Sequence, residues 1–123
     1  MKWNQKSCTN IIVVYAFDTL EETFGYNLDR TCNEIRATYS YDISCQGTVP
    51  ESIIAFLEST DYESAIRLTI SLRGDADTMG AITGGLAEAY YGGVAIREEV
   101  LKRLPDEFVT VMREFSITKL KCK

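Results

Sequence analysis

Apolar positions recur every three to four residues along most of the chain, the spacing of helices that bury one face. Ile53, Ile54 and Leu57 form such a stripe, opened by Thr48-Val49-Pro50-Glu51, where a Thr cap, a first-turn Pro and a Glu three residues on predict a helix start. Thr60-Asp61-Tyr62-Glu63 predicts the next start, with Tyr62, Ala65, Ile66, Leu68 and Thr69 mostly on one side. A long helix follows from Asp77 to Tyr91, ended by Gly92-Gly93 in the manner of a left-handed cap. Its residues are small: Gly80, Ala81, Gly84, Gly85, Ala87 and Ala89. An interior glycine costs about 1 kcal/mol relative to alanine, so close packing must offset it, and this helix is expected to be central and most buried. Further helices are expected over Leu28–Thr38, Arg97–Leu104 and Asp106–Phe115, the last two separated by Pro105.

Three segments read differently. Asn10–Phe17, with β-branched Ile11 to Val14, reads as a strand. Asp18-Thr19-Leu20-Glu21 reads as a capping box that starts a helix. The nine residues Tyr39–Gly47 lack a helical period and read as an irregular loop, long enough to be functional. No repeat, linker or low-complexity tract interrupts the chain, so residues 1–123 are expected to form one all-α domain.

Composition narrows the function. With 123 residues, 46% hydrophobic and 25% charged, the chain can bury one modest core. A net charge of -5 leaves no basic footprint, which argues against nucleic acid as a partner. There is no histidine, which excludes histidine-bound metal clusters, a Ser-His-Asp triad and a Cys-His dyad. Cys8, Cys32, Cys45 and Cys122 are scattered and read as reduced, mostly buried apolar groups. Met1-Lys2-Trp3-Asn4 opens no signal sequence, and the Ile11–Phe17 run is too short to span a bilayer. The expectation is a cytoplasmic protein without a membrane partner.

The segment that carries chemistry is Gly74-Asp75-Ala76-Asp77-Thr78. Two carboxylates and a hydroxyl meet at a loop-to-helix junction, with Gly74 to turn the chain and Asp75 and Asp77 on one side of an extended stretch. Hard cations such as Mg²⁺, Mn²⁺ or Ca²⁺ take such oxygen ligands, and a cation relieves the repulsion of two close carboxylates. Residue type alone also fits ordinary helix capping. Arg30 and Arg36 are candidates for a phosphate or for a solvated face, and Tyr41, Tyr90 and Tyr91 for adenine stacking or for the core.

That segment, followed by Ala81-Ile82, Gly84, Ala87 and Ala89-Tyr90-Tyr91-Gly92, resembles the C-terminal signature of ADP-ribosylglycohydrolases of the dinitrogenase-reductase-activating type. Leu28-Asp29-Arg30-Thr31, Glu34-Ile35-Arg36, Tyr41-Asp42, Ser44–Glu51 and Phe56–Tyr62 are similar to the family segment before it, so the resemblance covers roughly residues 24–115. It implies a compact orthogonal helical bundle and removal of ADP-ribose from modified proteins by two divalent metals, Mg²⁺ or Mn²⁺. Asp75, Asp77 and Thr78 would be metal ligands, and Gly74, Gln46, Gly47 and Tyr41 would face the substrate. No residue is assigned as catalytic.

The departures are specific. The family's N-terminal Thr-Asp-Asp ligand motif has no counterpart here. Residues 1–23 diverge, and Tyr15-Ala16-Phe17-Asp18-Thr19-Leu20-Glu21-Glu22 resembles a mid-chain family segment, joined to Phe24-Gly25-Tyr26 across a deletion. Arg73 stands where the family usually has a second glycine. Half of the metal site is then expected. Three readings follow: an enzyme that needs ligands from another chain, a non-catalytic truncated remnant, and a module that oligomerises through apolar surface.

Overall fold

The computed structural model describes residues 11–94 and 96–121, and side chains within 16–94 and 96–118. Trp3, Cys8 and Cys122 lie outside the described residues. Among the described residues the chain is all-helical: α1 Ile11–Phe24, α2 Cys32–Thr38, α3 Cys45–Glu58, α4 Tyr62–Ser71, α5 Ala76–Tyr91, α6 Arg97–Arg103 and α7 Asp106–Lys121. The chain divides into two compact units, Met1–Gly93 and Val94–Lys123.

In the first unit, α3, α4 and α5 pack on one another, and α2 packs on α3. The central helix is α3, contrary to the expectation for α5. Thr48 and every residue from Pro50 to Leu57 in α3 are buried, whereas α5 buries only Met79, Thr83, Gly84 and Ala87. The reason lies in its neighbours: α3 packs on α2, α4 and α5, and even its polar Thr48, Glu51 and Ser52 are buried there. The small residues of α5 let one side approach closely, while Ala81, Gly85 and Ala89 on the other are exposed. Two buried hydroxyls of this core are satisfied by backbone carbonyls. Thr83 Oγ1 donates to the Ser52 carbonyl at 3.0 Å, and Ser52 Oγ donates to the Thr48 carbonyl at 2.6 Å.

The strand expected at Asn10–Phe17 is a helix from Ile11, with Asn10 outside the described residues. Phe17 and Leu20, three apart, both pack on the core, and this helical spacing overrides the weak strand preference of the β-branched run. Asp18 therefore lies inside α1 and opens no helix, and Glu21 instead accepts the Leu28 N–H at 2.8 Å beyond the turn. Gly25 ends α1 at φ 68 much as Gly92 ends α5 at φ 79.

Starts shift where a better cap lies nearby. α3 begins at Cys45, because Ser44 Oγ accepts the Gly47 N–H at 3.1 Å. Pro50 thus sits inside the helix, and the irregular segment shrinks to residues 39–43. α2 begins at Cys32, where Thr31 and Glu34 make a capping box, so Leu28 to Thr31 are not helical. α4 begins as expected near Asp61, whose carboxylate accepts the Ser64 N–H at 2.7 Å. α7 runs six residues past the predicted end at Phe115.

Aromatic rings close one side of the core. Phe56 meets Tyr90 edge-on at 5.5 Å and Tyr91 at 6.3 Å, and the Tyr91 hydroxyl donates to the Ser59 carbonyl at 3.0 Å. Tyr91 is therefore a core residue. Of the two cysteines described, Cys32 is buried and Cys45 is exposed.

Candidate metal-binding turn

The turn between α4 and α5 is built from three unlike residues. Leu72, buried, closes α4 in helical geometry. Arg73 then takes φ 63, the left-handed region that side chains with a Cβ avoid. Gly74 follows at a point with no room for a Cβ, because the Tyr39 ring occupies that space. Sharp turning thus falls to Arg73 rather than to Gly74 as expected, and Gly74 provides close approach instead.

Asp75 is the N-cap residue of α5, at φ -71 and ψ 77, with the Ala76 N–H donating to the Gly74 carbonyl at 2.8 Å. This is an inverse γ-turn centred on Asp75. Its backbone carbonyl accepts the Met79 N–H at 2.9 Å, yet its carboxylate makes no capping hydrogen bond. Asp77 and Thr78 lie in the first turn of α5 and are exposed. Since Asp77 is helical, alternation along an extended stretch does not relate it to Asp75. What relates them is the junction itself, with one carboxylate on the cap residue and the other inside the first turn.

This donor set fits a hard divalent cation in kind: two carboxylates and a hydroxyl, on a helix N-terminus, with the cap role left unused. It falls short in number, because among the described residues no three Cys, Asp or Glu side chains converge to hold a metal. Asp75, Asp77 and Thr78 would hold one side of a cation, and water or another chain would complete it.

Tyr39 joins the other candidate residues to this turn. Its hydroxyl donates to the Gly47 carbonyl at 2.9 Å and lies 3.7 Å from the Met79 sulfur. Burial holds the Tyr39 hydroxyl above the ordinary phenol range, and the negative fields of Glu51, Asp42 and Asp75 push it further up. Gly47 is itself closely approached, since a Cβ there would meet the Asp42 carboxylate. Asp42 accepts the Ser44 N–H at 2.7 Å, and that hydrogen bond and the Ser44 side chain hold its carboxyl below the usual range. The structure thus brings Gly47 and Gly74 against one ring. Gln46 is exposed in the first turn of α3, and Tyr41 is 69% exposed.

Two residues near the turn escaped the sequence reading. Tyr39 was counted only as the first loop residue, and Glu51 only as a capping acid. Glu51 is 4% exposed; one of its oxygens pairs with Arg30 Nη1 at 2.9 Å, and the other is buried without a partner. Arg30 therefore serves a buried carboxylate. Arg36 donates through Nε to Ser71 Oγ at 2.9 Å, tying α2 to α4.

An all-α core whose Gly-Asp-x-Asp-Thr turn opens a small-residue helix defines the class. The chain belongs to the ADP-ribosylglycohydrolase family, whose sequence profile matches residues 10–120. The match begins earlier than residue 24 and includes all of α1 and all but the last residue of α7. No curated protein and no solved structure matches the chain. No helix among the described residues is long and apolar enough to cross a membrane.

Proposed function

We propose that the chain is an ADP-ribosylglycohydrolase-like protein of the dinitrogenase-reductase-activating type, shortened by an internal deletion, that retains one half of a two-metal site. Asp75, Asp77 and Thr78 hold Mg²⁺ or Mn²⁺, with ADP-ribose or an ADP-ribosylated protein as the ligand class. The observation that carries this reading is the Asp75 carboxylate, which occupies a cap position without capping. When bound, the metals of such a site activate water and orient the ribose. This chain's own residues supply oxygen donors and, at Gly74 and Gly47, closely packed backbone beside them. With so few donors, metal affinity is weak and hydrolysis by the chain alone is negligible.

The test is calorimetric titration of Mn²⁺ and then ADP-ribose into the purified chain, with Asp77→Ala as control. Saturable Mn²⁺ binding lost in the variant supports the reading, and heat indistinguishable from dilution in a folded chain sinks it. Turnover of ADP-ribosylated arginine by the chain alone would show that the site is complete.

A second reading, an oligomerising module, is favoured by one observation: Phe108, Val111 and Phe115 of α7 are each more than half exposed. A species that stays monomeric at high concentration in sedimentation would count against it.

A further inference from the structure

The turn that carries Asp75 and Asp77 runs against local side-chain preference at two points. Arg73 sits in a left-handed conformation, φ 63, that a residue with a Cβ avoids. The Asp75 side chain makes no cap hydrogen bond that would pin the start of α5. Backbone hydrogen bonds hold the turn in part, from the Arg73 N–H to the Ile70 carbonyl at 3.2 Å and from the Ala76 N–H to the Gly74 carbonyl at 2.8 Å, and the side chain packed against it is Tyr39.

Tyr39 caps α2 and donates its N–H to the Ile35 carbonyl at 2.7 Å, so its own backbone is anchored. From there the ring fills the space beside Gly74, immediately before Asp75. The hydroxyl reaches the Gly47 carbonyl in the first turn of α3, and the Met79 sulfur, 0% exposed, lies within contact of it. One side chain therefore touches both glycine turns and the buried underside of α5. The ring contact requires the absence of a Cβ at Gly74, while the hydroxyl bond to the Gly47 carbonyl and the Met79 contact tie the same side chain to α3 and α5.

We infer that Tyr39 is a positioning residue that fixes the Gly74–Thr78 turn against the Gly47 turn, setting the placement of the Asp75, Asp77 and Thr78 donors. This rests on the reading that those three residues hold a divalent cation. It differs from that reading in assigning the placement to a side chain that does not touch the cation. Tyr39→Phe removes the hydroxyl bond to Gly47 and keeps the ring beside Gly74. Gly74→Ala keeps the hydroxyl and forces the ring and the turn apart.

The test measures Mn²⁺ affinity by electron paramagnetic resonance, through loss of the free-ion signal, in the unsubstituted chain, Tyr39→Phe, Gly74→Ala and Asp77→Ala. Far-UV circular dichroism and thermal midpoints are recorded on the same samples. Positioning predicts that Tyr39→Phe weakens Mn²⁺ on the order of tenfold while helicity is unchanged, that Gly74→Ala weakens it at least as much, and that Asp77→Ala abolishes it. If Tyr39→Phe and Gly74→Ala bind Mn²⁺ like the unsubstituted chain while Asp77→Ala does not, positioning by Tyr39 is wrong and the cation reading stands. Affinity lost only in step with lost helicity marks Tyr39 as merely structural and also overturns the inference. An unsubstituted chain that binds no Mn²⁺ overturns the cation reading, and the positioning role with it.

Discussion

At Arg73 the backbone asks for one residue and the sequence supplies another. Among the described residues it is the only non-glycine with positive φ, at 63. Glycine relieves the Cβ clash there, so Arg73→Gly is expected to stabilise the fold by up to about 1 kcal/mol, with part of the gain offset by unfolded-state entropy. Arg73→Val, β-branched, is expected to destabilise it by about 1–2 kcal/mol. For a chain of this size that separates the two variants by several degrees in thermal midpoint, roughly 4 °C or more per kcal/mol, and equal midpoints would refute the strain. Asp61 gives a second test at this scale. The Ser64 N–H, foremost, and the Ser64 side chain hold its carboxyl below the ordinary range. A depressed folded value means stability that is present above the unfolded value, about 3.9, and is lost as pH falls through the folded one. Asp61→Asn keeps a capping oxygen but does not titrate. Urea midpoints should therefore show the parent's advantage over Asp61→Asn only above about pH 4, vanishing toward pH 2. A difference independent of pH would show that the charge of Asp61 does not matter.

Helix α5 shows how element-level reasoning from residue size goes astray. Its glycines do not share one purpose. A Cβ on Gly84 would lie 3.3 Å from Ile66 Cδ1 and 3.4 Å from the Tyr62 hydroxyl, whereas one on Gly85 would meet nothing within 4 Å. Gly85→Ala should therefore gain helix propensity unopposed, raising stability by about 0.5–1 kcal/mol in denaturant unfolding. Gly84→Ala should gain less or lose, because Ile66 must shift. Identical effects at the two positions would mean that packing against α4 does not constrain α5. Much of the helical content was legible in the chain, because the stripes of α3 and α4 and the Gly92 cap are local signals. The identity of the central helix was not, since burial of α3 depends on which helices surround it. The α1 segment was misread because Ile11 to Val14 favour strand locally, while the Phe17 and Leu20 contacts with the core decide the outcome. The same split holds at the site. Asp75, Asp77 and Thr78 lie within four residues and stand out as a motif, but Tyr39 reaches Met79 across 40 residues, a distance no local pattern encodes.

At the scale of the whole molecule, stability is unevenly distributed. Every buried hydrophobic residue among the described ones lies between Phe17 and Ala87, within the unit Met1–Gly93. In the unit Val94–Lys123, α6 buries nothing, and Ile96, Val100, Phe108, Val111, Met112, Phe115 and Ile117 are all exposed. Isolated helices shorter than about 12–15 residues are marginal in water, and tertiary burial normally makes up the deficit. Here α6, with seven residues, falls well under that length, and α7, with sixteen, is only just beyond it, with little burial to support either. Native-state hydrogen exchange should register the contrast. Amides of Ile54 to Leu57 in α3 should exchange only through global opening, with protection on the order of 10⁴ or more for a domain of ordinary stability. Amides of Thr110 to Phe115 in α7 should exchange within roughly a hundredfold of the unstructured rate, through local opening. The concentration dependence carries the second half of the prediction. If self-association covers the α7 residues, their protection rises with protein concentration while that of α3 does not, because binding to the folded state adds stability by mass action. Phe108→Ser with Phe115→Ser should erase that rise and leave α3 protection unchanged. Protection in α7 equal to that in α3 at every concentration would mean that the two units unfold as one, and the distribution of burial would then be the wrong guide to stability in this protein.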